Sequence, residues 1–130
     1  MPYSVVTGDV FAGHDDPGHP ESQARLEAAL AGVPAGARRV PPEQATTRDL
    51  ARVHTHRHIA AIHSFCRECP PGRACYIDPD TYVTWRSFDA ALDAAGAASQ
   101  AVDRALGGEH SFALVRPPGH HATPDRAMGF

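Results

Sequence analysis

The chain has 130 residues, a formal net charge of −3 from 12 Lys and Arg against 15 Asp and Glu, and 42% hydrophobic residues. That length suffices for one small domain burying roughly two-thirds of its unfolded surface. The mild acidity and scattered arginines argue against a nucleic-acid footprint. The absence of a span-length apolar run or a charged-then-apolar leader leaves a cytoplasmic setting and no membrane partner as the expectation.

Residues 3–10, with β-branched Val5, Val6, Thr7 and Val10, read as a first strand. A Gly/Pro/Asp loop follows over 14–20, then a helix over 21–31 that ends at Gly32. Residues 38–40 form a short second strand. Thr46 or Thr47 is placed to cap a short helix through Val53, and Thr55 to cap the next, where Ile59, Ile62 and Cys66 share one face. Residues 69–74 are a Pro/Gly loop. The strongest helix covers 87–106, capped by Ser87 and ended by Gly107 and Gly108. Its expected core stripe is Phe88, Ala91, Leu92, Ala95, Ala98, Val102, Ala105 and Leu106, with Asp89, Asp93, Gln100 and Asp103 opposite. An apolar strand over 110–115 comes next and is expected to be buried on both faces. Alternation of strands and helices predicts an α/β fold with a parallel sheet rather than a bundle.

Cys66, Cys69 and Cys75 raise zinc or redox chemistry, because Cys66 and Cys69 form a Cys-x-x-Cys pair. Cys66 sits near a helix end, whereas a thioredoxin-type pair begins one. A zinc knuckle needs a fourth ligand, for which His63 is the candidate, and the preferred reading is an ordinary loop. The odd count, in a cytosolic protein, argues against a disulfide framework. His54, His56 and His58 lack the Glu of a metalloprotease helix motif, and Thr55 begins a helix among them, so a helix boundary is preferred over a metal site there.

The last fifteen residues, 116–130, read RPPGHHATPDRAMGF. A rigid Pro-Pro-Gly turn follows an apolar strand and delivers adjacent His120 and His121 to the carboxyl edge of the sheet, where open α/β sheets place their chemistry. Two neighbouring imidazoles can divide the work of a general base and an acid or electrostatic partner, since histidine titrates near neutral pH. The competing reading is a solvated pair in a surface loop.

Together with His19-Pro20-Glu21 and Arg25-Leu26, Val53-His54-Thr55 with His58-Ile59, Asp78-Pro79-Asp80-Thr81-Tyr82 with Ser87-Phe88 and Ala90-Ala91, and the closing Met128-Gly129-Phe130, that string resembles the zinc-dependent histone deacetylase and acetylpolyamine amidohydrolase superfamily, bacterial deacetylase-like proteins included. The motifs also occur in the family's order. The resemblance implies the N-terminal part of an arginase/deacetylase-type fold, with a mainly parallel sheet flanked by helices. It further implies that residues 1–130 are a single incomplete domain, truncated before the metal-ligand segment.

In such a family the zinc ligands lie on an Asp-x-His segment and a later Asp, downstream of the Gly-Phe motif. No Asp-x-His occurs here, so zinc is the expected cofactor with no ligand expected within these residues. The implied activity is hydrolysis of an N-acetyl amide, acetyl-lysine or acetylpolyamine. His121 matches the general base and His120 its charge-stabilising partner. Phe130 and the Gly129 backbone match the substrate tunnel wall. Asp80 or Thr81 matches a mouth-loop residue, and Arg25 matches an arginine beside a product channel, with a helix-surface arginine as the alternative. The 130 residues alone are expected to be inactive and to expose the last strand's edge. The alternative is a non-catalytic binding or regulatory module that keeps this half of the fold.

Overall fold

A computed structural model describes residues 3–130. In chain order its elements are β1 (Tyr3–Val6), a 3-10 turn (Asp9–Gly13), α1 (Gln23–Ala31), β2 (Arg38–Val40), α2 (Thr47–Leu50), α3 (His56–Glu68), β3 (Cys75–Tyr76), β4 (Tyr82–Val83), α4 (Ser87–Leu106) and β5 (His110–Ala113). The main sheet has the order β2-β1-β5 and is parallel throughout, Val5 lying opposite Arg39 on one side and Phe112 on the other. Parallel neighbours need long crossovers, and helices supply them, α1 between the first two strands and α2 to α4 before the last. This is the expected α/β arrangement with helices flanking the sheet. An antiparallel β3–β4 pair interrupts the second crossover.

Local chemistry sets most boundaries. Thr46 caps α2 in a reciprocal box with Asp49, and the Thr55 hydroxyl accepts from the His58 amide to start α3. Gly32 and Gly107 end α1 and α4, the latter followed by Gly108 in the left-handed region at φ 88°. Five boundaries differ from expectation. α2 ends at Leu50 instead of Val53, and the chain continues in turns over 51–53. β1 stops at Val6, because residues 9–13 wind into the 3-10 turn that buries Phe11 completely. α1 begins at Gln23 instead of residue 21, because the Glu21 side chain is taken by Arg116 while Asp15 accepts from the Gln23 amide. Ser87 does not cap α4. Its Oγ accepts from the Thr84 amide and bonds His14 Nδ1, while Thr84 Oγ1 accepts from the Arg86 amide. β5 ends at Ala113, although the Leu114 amide still donates to Val6.

The core also departs from the expected pattern. α4 buries Ala90, Ala94, Ala97 and Ala101, whereas Val102 and Leu106 are exposed, the latter 82%. Small side chains let the helix axis approach the sheet closely, so the alanine face sits on Val6, Val40, Ala113 and Val115. A second cluster joins Ala90 and Ala94 to Phe11, Leu26, Leu30 and Leu114. β5 is not buried on both faces: Ala113 packs with Ala97 and Ala101, whereas Phe112, next to it and on the opposite side of the strand, is 63% exposed.

Cys69 and Cys75 are joined in a disulfide, contrary to the expectation against one. Cys69 ends α3 and Cys75 opens β3, and the intervening turn brings their Cα atoms to 5.9 Å. Cys66 remains a free thiol, and burial pushes its pKa up to about 11. His63 packs edge-on against Phe88 instead of completing a zinc knuckle.

At Gly96 the close packing of α4 leaves no room for a side chain. A Cβ there would fall 1.6 Å from the Glu43 carbonyl oxygen and 2.7 Å from the Ala45 nitrogen, both backbone atoms. Helix propensity alone makes Gly→Ala favourable by about 1 kcal/mol, but overlap with fixed backbone outweighs that. Gly96→Ala is expected to destabilise the protein by about 2 kcal/mol or more, read from urea unfolding. An increase in stability would mean that residues 43–45 do not lie against α4.

Candidate active site

The loop after β5 is rooted in Arg116, which is 3% exposed. Its guanidinium makes a bidentate pair with Glu21, at 2.6 Å from Nε and 2.9 Å from Nη2. Nη1 donates to the Phe11 carbonyl at 3.0 Å and to Gln23 Oε1 at 3.3 Å, and Nη2 donates to the Tyr82 hydroxyl at 3.1 Å. Burial opposes the charge, yet Glu21 outweighs it and the Arg116 pKa is raised.

Pro117, Pro118 and Gly119 then turn the chain, Gly119 at φ 57°, and present His120 and His121 at the surface. The two imidazole centroids are 4.1 Å apart with planes 46° from each other. Phe130 lies 5.7 Å from the His120 ring. Gly129 is buried at φ 90°, and a Cβ there would come 2.8 Å from the His121 nitrogen and 3.0 Å from His120 Nδ1. Only glycine lets the Gly129–Phe130 segment press so closely on the pair. The structure thus gathers His120, His121, Gly129 and Phe130 into one place.

Behind this wall lies a ladder of rings. His19 is edge-on to Phe130 at 5.0 Å and tilted against Tyr82 at 5.1 Å, and Tyr82 stacks on His14 at 4.4 Å. His19 Nδ1 accepts from the Glu21 amide, which leaves Nε2–H to donate to the Asp80 carbonyl at 2.9 Å. Asp80 therefore joins the site through its backbone while its side chain is exposed, and Thr81 beside it is buried. His14 bonds Ser87 Oγ through Nδ1 at 2.6 Å, and its buried Nε2 has no well-aligned partner. Burial, then the Arg116 guanidinium and the neighbouring His19, push its pKa down to about 3, with the Phe130 backbone opposing. Burial likewise raises the Tyr82 phenol to about 12.

An open cavity of about 440 Å³ runs beside the ladder, lined by Phe130, Tyr82, Thr81 and His14, by α3 and α4 side chains, and by parts of the loop after β5 other than His120 and His121. His54 and His58 face it with rings 5.1 Å apart, and His54 Nδ1 lies 3.1 Å from the Thr123 carbonyl oxygen. Arg25 is exposed on α1 and does not line the cavity. Among the described residues, no three His, Cys, Asp or Glu side chains converge as a metal-ligand set, so these residues by themselves do not fit a zinc site. No helix among them is long and apolar enough to cross a membrane.

Sequence reasoning missed the Arg116–Glu21 pair and the role of His14. A signal for the first was present: an arginine at the end of an apolar strand needs a carboxylate if it is buried, and Glu21 stands in the His-Pro-Glu motif.

The family model for the histone deacetylase domain matches residues 19–130. A probable deacetylase of Methanothermobacter thermautotrophicus is 39% identical over 130 residues, covering 97% of this chain and 38% of the relative. A histone deacetylase-like amidohydrolase of Pseudomonas aeruginosa is 35% identical over 125 residues, covering 92% of this chain and 31% of the relative. The crystal structure of the HDA15 HD domain superposes with a TM-score of 0.85 at 34% identity, covering all of this chain and 40% of that one. The chain therefore spans less than half the length of these relatives. With the matched domain and the shared fold together, the chain belongs to the histone deacetylase domain family.

Proposed function

We propose that the protein hydrolyses N-acetyl amides of the acetyl-lysine or acetylpolyamine type, with these residues as the N-terminal part of a larger catalytic domain. The observation that carries this reading is the His120–His121 pair, its rings 4.1 Å apart, set against the Phe130 wall at the carboxyl end of the parallel sheet.

Amide hydrolysis needs a proton removed from water as it attacks the acetyl carbon and one delivered to the amine as the C–N bond breaks. His121 performs both transfers, so the proton leaves on the amine and acetate is the other product. His120, in contact with it, stabilises the negative charge that develops on the acetyl oxygen. Phe130 offers a flat apolar face to a methylene chain, and Gly129 leaves room beside it. Thr81 lines the cavity, and with Asp80 beside it in the chain it orients the substrate there. Zinc is the metal the family implies, and residues 3–130 do not by themselves form a site for it.

The test is product analysis of the intact protein incubated with an N-acetyl-lysine peptide and with a monoacetylated diamine. Acetate and free amine in equal amounts from at least one of them are expected, and none from the 130 residues alone. A folded intact protein that releases acetate from neither would overturn the reading.

A further inference from the structure

The geometry points to Arg116 as a positioning residue that fixes the His120–His121 pair and the Phe130 wall together. The inference rests on the hydrolase reading for its kinetic consequence only. All five guanidinium N–H groups are used: two on Glu21, one on the Phe11 carbonyl, one on Gln23 Oε1 and one on the Tyr82 hydroxyl. These acceptors come from the 3-10 turn, the His-Pro-Glu loop, the start of α1 and β4, so Arg116 is held from several directions at once. A lysine ammonium cannot reproduce this planar fork.

Stability alone does not account for such an arrangement. Well-packed apolar residues can replace a buried ion pair at little cost and often with a gain. Placement accounts for it better, through two routes. Along the chain, only Pro117, Pro118 and Gly119 separate Arg116 from His120, and the prolines fix two of the intervening φ angles. A shift at the guanidinium root is therefore passed on to the pair. Through space, Tyr82 accepts from Arg116 and packs on His19, which sets the edge of Phe130. One side chain thus sets both the acid–base pair and the wall along which a substrate would lie. The distance between reacting groups matters steeply, since a displacement of about 1 Å can cost roughly 100-fold in rate.

The experiment uses the intact protein with nitrogen-15 histidine labelling, comparing Arg116→Lys with wild type. The ring resonances of His120 and His121 are expected to shift or split into several environments, while those of His54 and His58 stay in place. The turnover number is expected to fall about 10- to 100-fold with KM held. A folded Arg116→Lys protein with wild-type His120 and His121 resonances overturns the inference. Should that variant fail to fold, Tyr82→Phe removes a single acceptor, and the same resonances are expected to move in a smaller degree. A folded Tyr82→Phe protein that leaves them unmoved overturns it equally. If the intact protein hydrolysed no acetyl amide, the resonances would still decide, so the two proposals fail separately.

Discussion

The substitution His121→Ala is expected to lower the turnover number for an N-acetyl amide by roughly 10²- to 10⁴-fold, the usual worth of a positioned acid–base group. Little change in KM should accompany it, because His121 acts on the proton and the substrate chain lies on Phe130. His120→Ala is expected to cost less, about 10²- to 10³-fold, as for loss of a group that stabilises developing charge. The double variant should be no worse than the product of these and closer to the worse single one, since the two rings act as a unit 4.1 Å apart. Steady-state kinetics of the four proteins, each checked for native secondary structure, provides the comparison. A His121→Ala protein that keeps its turnover would remove this residue from the chemistry.

Acid is expected to destabilise the fold through His14. The ring is 1% exposed, and burial lowers its pKa from 6.5 to about 3, with Arg116 and His19 adding to the effect. Between those two values the unfolded chain binds a proton that the folded chain refuses, so this contribution is complete above pH 6.5 and lost as the pH falls towards 3. From pH 7 to 5 the loss attributable to this one ring is about 2 kcal/mol, and over the whole window on the order of 4 kcal/mol. The groups that face it are Arg116, His19, the Tyr82 ring and the Ser87 hydroxyl. His14→Gln removes the titration, so urea unfolding of that variant should depend less on pH over this range by that amount. Equal pH dependence in the two proteins would mean that His14 is solvated in the folded state.

Much of the architecture was legible because its signals are local. Thr46, Thr55, Gly32 and Gly107 mark helix ends through hydrogen bonds and backbone freedom within a few residues, and the structure places boundaries at all four. The His pair and its Gly129–Phe130 wall were legible for the same reason, since all four lie within eleven residues, 120–130. Sequence reasoning failed where distant partners decide. Glu21 and Arg116 are 95 residues apart, so nothing local shows that the carboxylate leaves the start of α1 for a guanidinium beyond the end of β5. Ser87 has the residue type of a cap but is engaged by His14, 73 positions away. α4 shows a different failure. Periodicity favours its larger apolar residues as the core face, but contact with the sheet selects the alanines, because a close approach excludes bulk there. The Cys69–Cys75 link was missed because compartment and count say nothing about how the turn over 70–74 folds back.

The most direct measurement is the pH dependence of kcat/KM for an N-acetyl-lysine peptide, taken on wild type, His121→Ala and His54→Ala. His54 and His58 form the other close imidazole pair, and theirs is the pair that lines the cavity, so His54→Ala is the matched control. If the loop pair handles the proton, the wild-type rate falls on the acidic side through a histidine ionisation. That limb should vanish in His121→Ala and persist in His54→Ala. A limb unchanged in His121→Ala, or one that moves only with His54→Ala, would place the proton chemistry elsewhere and contradict the account.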